Sequence, residues 1–171
     1  LPTKTEQGDL NLALYAGHGE FPRAIFTPGV PEEGIAMMQK AFQTADRFQI
    51  PVFVLSDQHF LDSLSSIPEK LVEVIPAQKH IIETDADYAR YRLTLDGISP
   101  RGIPGWGEGI VKVDSDEHDE TGHITESYEV REKMMEKRMK RLEALADEAV
   151  MPTEMDNFAE AEIAIVSFGS N

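Results

Sequence analysis

The stretch VDSDEHDETGH, residues 113–123, places five carboxylates and two histidines within eleven positions. Carboxylates and imidazoles bind metal ions, exchange protons and pair with cations, so this stretch is the first candidate for a chemical function. A calcium loop of the EF-hand type is excluded. Counted from Asp114, its sixth position is Asp119 instead of glycine, and its twelfth is Thr125 instead of glutamate.

Three interpretations of this acidic stretch stay open on the residues alone. A zinc site would use His118, His123 and a carboxylate, but the spacing is loose and the chain has no cysteine. A run of charges is more often a solvated loop, here one that precedes a long helix. In the third interpretation the stretch lies at an interface or an active-site rim, where clustered carboxylates raise one another's pKa or keep a histidine protonated.

The second candidate is His18, which lies between two glycines in AGHGEFPR. Glycines on both sides permit a close approach of the backbone to a ligand, although the same pattern is found in ordinary turns. The segment SDQH, residues 56–59, follows an apolar strand and is suited to cap a helix or to contact a phosphate. Nucleophile elbows, phosphate-binding loops of the P-loop type and dinucleotide fingerprints are absent from the sequence.

The composition narrows the classes of partner. Thirty-one acidic residues against sixteen basic ones give a formal charge of −15, which disfavours nucleic acid and anionic membranes as partners. The lack of cysteine excludes disulfides, thiolate nucleophiles and cysteine ligands for an iron–sulfur cluster on this chain. Without a long apolar run or an opening signal peptide, the chain is predicted to be cytoplasmic. Its first and last residues predict a piece of a longer protein.

Hydrophobic periodicity predicts alternating helices and strands in the first 65 residues. The predicted elements are a helix at 5–16 capped by Thr5, a strand at 23–27, a helix from Pro31 that Pro51 ends, a strand at 52–55 and a short helix at 58–65. Phe42 is predicted to lie on the apolar face of the helix that begins at Pro31. The strand VFVL is continuously apolar, as in parallel sheets buried on both faces. This order predicts an α/β fold with a parallel sheet, whose ligands lie beyond the carboxyl ends of the strands, at the loops after Thr27 and Leu55.

The second half is predicted to be less regular. We expect ISPRGIPGWGEG, residues 98–109, to form an ordered loop that buries Ile98, Ile103 and Trp106. A long helix is predicted at 127–149, capped by Ser127 and supported by pairs such as Glu129 with Lys133. Residues 151–161 are predicted to be a linker and 161–168 a strand. The methionines of the long helix are more consistent with core or interface packing than with ligands.

Several stretches together resemble the alpha subunit of 2-oxoacid:ferredoxin oxidoreductases, especially the 2-oxoglutarate type. They are LPTKTEQGDLNLALYAGHGEFPRAIFTPG, IPVFVLSDQ, ISPRGIPG and DSDEHDETGHITE. The resemblance implies the thiamine-diphosphate-binding-type α/β fold, similar to the pyrimidine-binding domain of thiamine enzymes, with this chain covering its C-terminal half, an irregular extension and a long helix. It implies oxidative decarboxylation of a 2-oxoacid to its acyl-CoA, with electrons passed to ferredoxin.

The resemblance also implies a division of labour between subunits. Thiamine diphosphate and magnesium would lie at the interface with the beta subunit, which would hold an iron–sulfur cluster and, through the complex, serve ferredoxin. The family's pyrimidine-binding glutamate and the arginine that binds the 2-oxoacid carboxylate lie upstream of this stretch. Thr3 and Lys4 then become the residues nearest the 2-oxoacid, and His18 falls on the active-site side.

For the acidic stretch, the resemblance favours an active-site rim or an interface, with Asp116, His118 and Asp119 as candidates. The predicted division is 1–65 for the second half of the thiamine-type domain, 66–150 for its extension and long helix, and 151–171 for a linker and the first strand of the next domain. The alternative function is a non-catalytic acidic α/β module that uses residues 113–123 to bind a cation or a basic partner.

Overall fold

The computed structural model of the chain describes residues 6–69, 73–148 and 160–170. Eight elements occur in these ranges, in the order α-β-α-β-α-β-β-α. They are α1 (Asp9–Tyr15), β1 (Ala24–Phe26), α2 (Pro31–Phe48), β2 (Val52–Val54), α3 (Gln58–Asp62), β3 (Ile82–Thr84), β4 (Gly102–Gly107) and α4 (Tyr128–Ala146). The α-β-α-β-α order predicted for the first 65 residues is confirmed.

A β-α-β unit forms the centre of the first half. Strands β1 and β2 pair in parallel, with Ala24 opposite Val52 and Phe26 opposite Val54. Helix α2 connects them and packs against both strands. Parallel neighbours need such a crossover, because a tight hairpin cannot return the chain in the same direction.

Helix α2 begins at Pro31, as predicted, with Glu32 and Glu33 in its first turn. Gln49 ends the helix in the left-handed conformation, with φ of 53°, two residues before the proline that we expected to end it. This conformation reverses the chain so that Ile50 is buried and β2 can start. Gln49 also donates a side-chain hydrogen bond to the carbonyl of Ser99, at 2.7 Å, and so joins α2 to the second half of the chain.

Two predictions about burial in this half are wrong. The buried residues of α2 are Ala41, Thr44 and Phe48, whereas Phe42, predicted on the apolar face, is 72% exposed. Its position, one residue after Ala41, is about 100° around the helix from that residue. Strand β2 is half-buried and not covered on both faces, because within the described residues α2 covers one side and the other side borders a groove.

The middle of the chain contains a second parallel pair, β3 and β4, which the sequence did not predict. Thr84, only 3% exposed, is its centre. The Thr84 hydroxyl donates to the carbonyl of Trp106 at 3.0 Å and accepts from the amide of Gly109 at 3.1 Å. A Cβ at Gly107 or Gly109 would overlap Thr84, so the glycines are required for this close approach.

The glycine-rich segment is therefore partly strand and not the loop we expected. It also buries less than predicted, since Ile103 and Trp106 are each 40% exposed. Pro104 fits within β4 because this strand has a neighbour on one side only in the described part of the chain, where a missing amide donor is tolerated.

Helix α4 begins and is capped as predicted. The Ser127 hydroxyl accepts from the amide of Val130, and Lys133 pairs with Glu129 at 2.6 Å on the exposed face. The helix ends at Ala146, three residues before the predicted end. Its inward face buries Met134 and Lys137.

Residues 161–168, predicted to be a strand, do not form one. Ile163, Ile165 and Val166 are 82%, 91% and 88% exposed. A strand needs a neighbour to satisfy its amides and carbonyls, and none lies beside this segment within the described residues. The Thr5 cap and most of the predicted 151–161 linker lie outside the described residues.

Gly97 tests how closely α4 packs against the segment before β4. It has a φ of 75°, and a Cβ at this position would overlap the carbonyl oxygen of Lys137. We expect Gly97→Ala to lower the free energy of unfolding by at least about 2 kcal/mol more than Gly105→Ala. Gly105 is the matched control because its φ of 83° imposes similar strain, about 1–2 kcal/mol, in open space.

The measurement is urea unfolding of the full-length protein and its two variants, monitored by the circular dichroism of its helices. Equal losses for the two variants would show that α4 does not press on Gly97.

Candidate functional site

A groove of about 630 Å³ lies at the carboxyl end of β2, where a parallel α/β sheet is expected to bind its ligand. Its apolar wall comes from α1, from β2 with the residue after it, and from the segment near residue 168. The wall residues are Leu12, Ala13, Ala16, Phe53, Leu55 and Phe168. Glu6, Asp9 and Asp57 add carboxylates, so the groove combines an apolar surface with negative charge.

Ser56 lines this groove and has a side-chain hydroxyl that makes no hydrogen bond within the described residues. The oxygen of this hydroxyl is buried. A buried hydroxyl without a partner costs stability, so such an atom in a ligand groove is available to a bound molecule.

Arg23 positions the α1 side of the groove. Its guanidinium donates to the carbonyls of Ala13 and Ala16, at 3.0 and 2.7 Å, and so satisfies the last turn of α1. The same guanidinium lies 4.1 Å from the centre of the Phe21 ring. Because Arg23 immediately precedes β1, these contacts fix α1 against the start of the sheet. This role was not predicted, because it depends on contacts of Arg23 with carbonyls seven and ten positions upstream, which no local pattern reveals.

Asp57 positions the opposite side. Its carboxylate caps α3 by accepting from the amide of Phe60 at 2.8 Å, which confirms one of the two roles expected for SDQH. It also accepts from the amide and the hydroxyl of Ser170, at 2.7 and 2.8 Å. The Phe60 amide and then the two Ser170 donors lower the pKa of Asp57 below its ordinary value. Phe168 and Gly169 are thereby held in the groove wall.

His18 lies in an exposed turn two residues after Ala16, the last α1-side residue of the groove wall. Gly17 and Gly19 have φ of 92° and 73°, so the glycines on both sides serve the turn itself. A Cβ at Gly17 would press on the Phe21 ring. Thr3 and Lys4 lie outside the described residues.

The acidic stretch forms a compact hairpin, here called the acidic hairpin and defined as residues 113–125. His118 and Ile124 form an antiparallel bridge, and the amide of Asp119 donates to the carbonyl of His123 at 2.9 Å. Asp119 closes the turn, because its carboxylate accepts from the amides of Thr121 and His123 at 2.8 and 3.1 Å. The Thr121 hydroxyl, and then the His123 and Thr121 amides, lower the pKa of Asp119 below its ordinary value. This carboxylate therefore stabilises the turn of the acidic hairpin.

The two histidines of the acidic hairpin have different surroundings. The His118 ring stacks on Tyr91, with 3.8 Å between ring centres, and its Nδ1 donates to the carbonyl of Asp116 at 2.8 Å. His123 Nε2 lies 3.3 Å from the ammonium of Lys112, which can only donate. This contact disfavours the zinc interpretation, because a ligating nitrogen needs its lone pair free. The described part of the chain contains no group of three acidic or histidine side chains arranged for a metal ion.

The acidic hairpin docks on α4 through Glu117. Arg138 donates to both carboxylate oxygens of Glu117, at 3.1 and 2.8 Å, in a two-point ion pair that the sequence did not reveal. Glu120 adds a second attachment, since its carbonyl and carboxylate accept from the amides of Tyr91 and Leu93 at 2.9 and 2.8 Å. The acidic hairpin is therefore an ordered part of the fold and not a freely solvated loop. The side chain of Asp116 is exposed on its surface.

Comparisons with known proteins bear on both regions. Residues 1–137 match the family model described as pyruvate flavodoxin/ferredoxin oxidoreductase, thiamine diphosphate-binding. The chain is 39% identical, over 88% of its length, to 2-oxoacid:ferredoxin oxidoreductase 1, subunit alpha, of Sulfurisphaera tokodaii. It is 38% identical, over 99% of its length, to the 2-oxoacid:ferredoxin oxidoreductase subunit alpha of Saccharolobus solfataricus. It covers 24% and 28% of the lengths of these relatives.

Among solved structures, the chain is similar to a 2-oxoglutarate:ferredoxin oxidoreductase from Magnetococcus marinus that contains 2-oxoglutarate, coenzyme A and succinyl-CoA. The TM-score is 0.74 and the identity 32%, over 88% of this chain and 27% of that one. The parallel β-α-β unit with its groove thus defines a thiamine-diphosphate-binding-type α/β domain. The chain belongs to the pyruvate flavodoxin/ferredoxin oxidoreductase family of such domains, and the resemblance to alpha subunits of 2-oxoacid:ferredoxin oxidoreductases is confirmed.

The ion pair between Glu117 and Arg138 predicts a pH dependence. Arg138 lowers the pKa of Glu117 below its ordinary value of 4.5 in the folded protein. The ion pair therefore stabilises the fold fully above pH 4.5, and this contribution is lost as the pH falls through the lowered pKa. We expect Glu117→Gln to lower the free energy of unfolding at pH 7 by about 1–3 kcal/mol and to flatten its decline in acid.

Glu129→Gln is the matched control, because it removes an exposed ion pair from the same helix and should change little. Unfolding of the full-length protein and both variants would be followed between pH 3 and 7. Parallel pH profiles for wild type and Glu117→Gln would show that the ion pair does not hold the acidic hairpin.

Proposed function

We propose that the full-length protein is the alpha subunit of a 2-oxoacid:ferredoxin oxidoreductase. The reaction is oxidative decarboxylation of a 2-oxoacid, preferentially 2-oxoglutarate, to its acyl-CoA, with electrons passed to ferredoxin. The match of residues 1–137 to the thiamine diphosphate-binding family carries the proposal. The 2-oxoglutarate and coenzyme A in the similar Magnetococcus marinus enzyme support the choice of substrates.

The groove fits one part of thiamine diphosphate better than the other. Its apolar wall and the partnerless Ser56 hydroxyl suit an uncharged heteroaromatic ring, as in the aminopyrimidine. Glu6, Asp9 and Asp57 would repel a diphosphate, and the groove offers no cation to it within the described residues. The family resemblance implies that the beta subunit holds the diphosphate, magnesium and the iron–sulfur cluster, and the absence of cysteine from this chain is consistent with this division.

In this proposal the cofactor supplies the carbanion chemistry, and the chain forms one side of the cofactor site and excludes water from it. The α1 side chains and Phe168 exclude water from the ring, and Ser56 is positioned to hydrogen-bond a polar atom of it. The family resemblance implies that Thr3 and Lys4, which lie outside the described residues, are nearest the 2-oxoacid and that His18 is on the active-site side. Asp116, His118 and Asp119 belong to an active-site rim or subunit interface, and Asp116 is the one of the three with an exposed side chain.

The division into residues 1–65, 66–150 and 151–171 and the cytoplasmic location stay predictions. No helix in the described ranges is long and apolar enough to cross a bilayer. The alternative of a cation-binding acidic module has less support, because the carboxylates of Glu117, Asp119 and Glu120 are occupied by contacts within the fold.

The proposal is tested on the complete complex purified with this subunit. We expect viologen reduction that requires thiamine diphosphate, coenzyme A and a 2-oxoacid, faster with 2-oxoglutarate than with pyruvate or a branched 2-oxoacid. A complex with intact clusters that reduces no viologen with any 2-oxoacid would refute the activity. Faster reduction with pyruvate would refute the substrate assignment alone.

Leu12 tests the groove itself. Leu12 is 71% exposed and lines the groove, so Leu12→Arg should fill it without disturbing the core. We expect the concentration of thiamine diphosphate for half-maximal activity to rise at least about tenfold, or about 1.4 kcal/mol of binding free energy. The control is Leu61→Arg, at a residue 68% exposed that does not line the groove. Equal activation curves for the two variants would remove the groove from the cofactor site.

A further inference from the structure

A second, smaller cavity lies between α4, the segment around Tyr91 and the acidic hairpin. Its volume is about 130 Å³, and its lining residues are Tyr91, His118, Met134, Lys137, Arg138 and Arg141. It shares no residue with the groove at the carboxyl end of β2. Three of its six lining residues carry cationic side chains, in a chain with a net charge of −15.

Lys137 is the most unusual of these residues. Its side chain is buried, with the residue only 3% exposed, and its ammonium donates one hydrogen bond, to the carbonyl of Tyr91 at 2.8 Å. An ammonium has three donors, and burying a charge without a partner is costly. Within the described residues, no carboxylate forms an ion pair with Lys137, and Glu120 acts on it only through space.

Of the neighbouring cations, Arg138 is paired with Glu117, whereas Arg141 donates to uncharged acceptors. Arg141 donates through Nε to Gly97 and through Nη1 to Gln49, both at 2.8 Å, and both acceptors are uncharged carbonyls. A further cation, Arg90, lies over the ring of Tyr91, with its guanidinium carbon 5.1 Å from the ring centre. Lys137 and Arg141 therefore donate to backbone carbonyls, while Glu120 and Asp96 act on them only through space.

The size and charge of the cavity restrict the molecule that would complete it. One water molecule needs about 10–15 Å³ of cavity volume. The cavity of about 130 Å³ therefore has room for a group of several heavy atoms but not for a nucleotide. Donors fixed on a helix and clustered positive charge are the usual environment of an oxyanion. From this geometry we propose that the cavity binds a small oxyanion, of the sulfate, phosphate or carboxylate class, through Lys137 and Arg141.

Anion binding should be coupled to proton uptake. Burial and then the charges of Arg141, Arg90 and Arg138 lower the pKa of Lys137 to about 7, while Glu120 acts in the opposite direction. An anion beside the amine favours its charged form and raises this pKa again. Above neutral pH the free protein has a largely neutral Lys137, so each anion bound there should take up a proton and affinity should fall as the pH rises.

The experiment is calorimetric titration of sulfate into the intact complex at pH 8, in two buffers with different heats of ionisation. Sulfate is the probe because it does not titrate in this range. We expect binding by the wild-type complex with uptake of up to one proton. Lys137→Met should weaken sulfate binding at least about tenfold and abolish the proton uptake, as expected for loss of a charged hydrogen bond.

Lys133→Met is the matched control, since it removes a lysine from the exposed face of the same helix and should leave sulfate binding unchanged. Chloride at equal ionic strength and AMP, which is too large for the cavity, should not displace sulfate. The proposal fails if the wild type binds no sulfate, if Lys137→Met binds it equally with the same proton uptake, or if AMP displaces it. If the Lys137→Met variant does not assemble into the complex, the test rests on the wild type alone. Sulfate binding without proton uptake at pH 8 would then contradict the proposal.

Discussion

Hydrogen bonds from long side chains to backbone carbonyls are the interaction on which most of this structure depends. The described part of the chain buries few large apolar residues, and its segment between β2 and α4 has little regular structure. Carbonyls in such segments lack ladder partners and must be satisfied in another way. Arg23 does this for the end of α1, and Lys137 and Arg141 do it for the chain around Tyr91 and Gly97.

This mode of stabilisation explains why charge and fold are connected in the second half. Arg138 and Lys137 are adjacent on α4, yet one holds the acidic hairpin by an ion pair and the other donates to a carbonyl beside it. These cations thus lie beside the acidic hairpin, in a chain whose net charge is −15. In the proposed enzyme, such an acidic exterior is consistent with ferredoxin docking on another subunit, because ferredoxins are acidic as a class.

The elements that the sequence predicted are those determined by local patterns. Pro31 with the following acids defines the start of α2, and Ser127 defines that of α4. The pair β3–β4 escaped prediction because it depends on Thr84 meeting glycines more than 20 residues away, a contact with no local periodicity. The opposite error occurred at 161–168, where an apolar run typical of buried strands has no neighbouring strand in the described residues.

The candidate sites divide along the same line. The sequence identified the carboxylates and histidines of the acidic hairpin but not the contacts that they make. The turn closed by Asp119 and the pairing of Glu117 with Arg138 both depend on how the backbone folds. A groove lies beside the loop after Leu55, which is one of the two places where the sequence predicted a ligand. The contributions of Arg23 and Ser170 could not be predicted, because each acts through contacts with another element.

The bond between Asp57 and Ser170 has a kinetic consequence. It closes a loop of 113 residues, whereas the pairing of β1 with β2 closes a much shorter one. Loop closure costs on the order of 1 kcal/mol more for the longer loop, and contacts between distant residues are made late in folding. The wall that Phe168 adds to the groove is therefore expected to be among the last features to form. Newly made chains would pass through a state with a formed sheet and an open, water-filled groove.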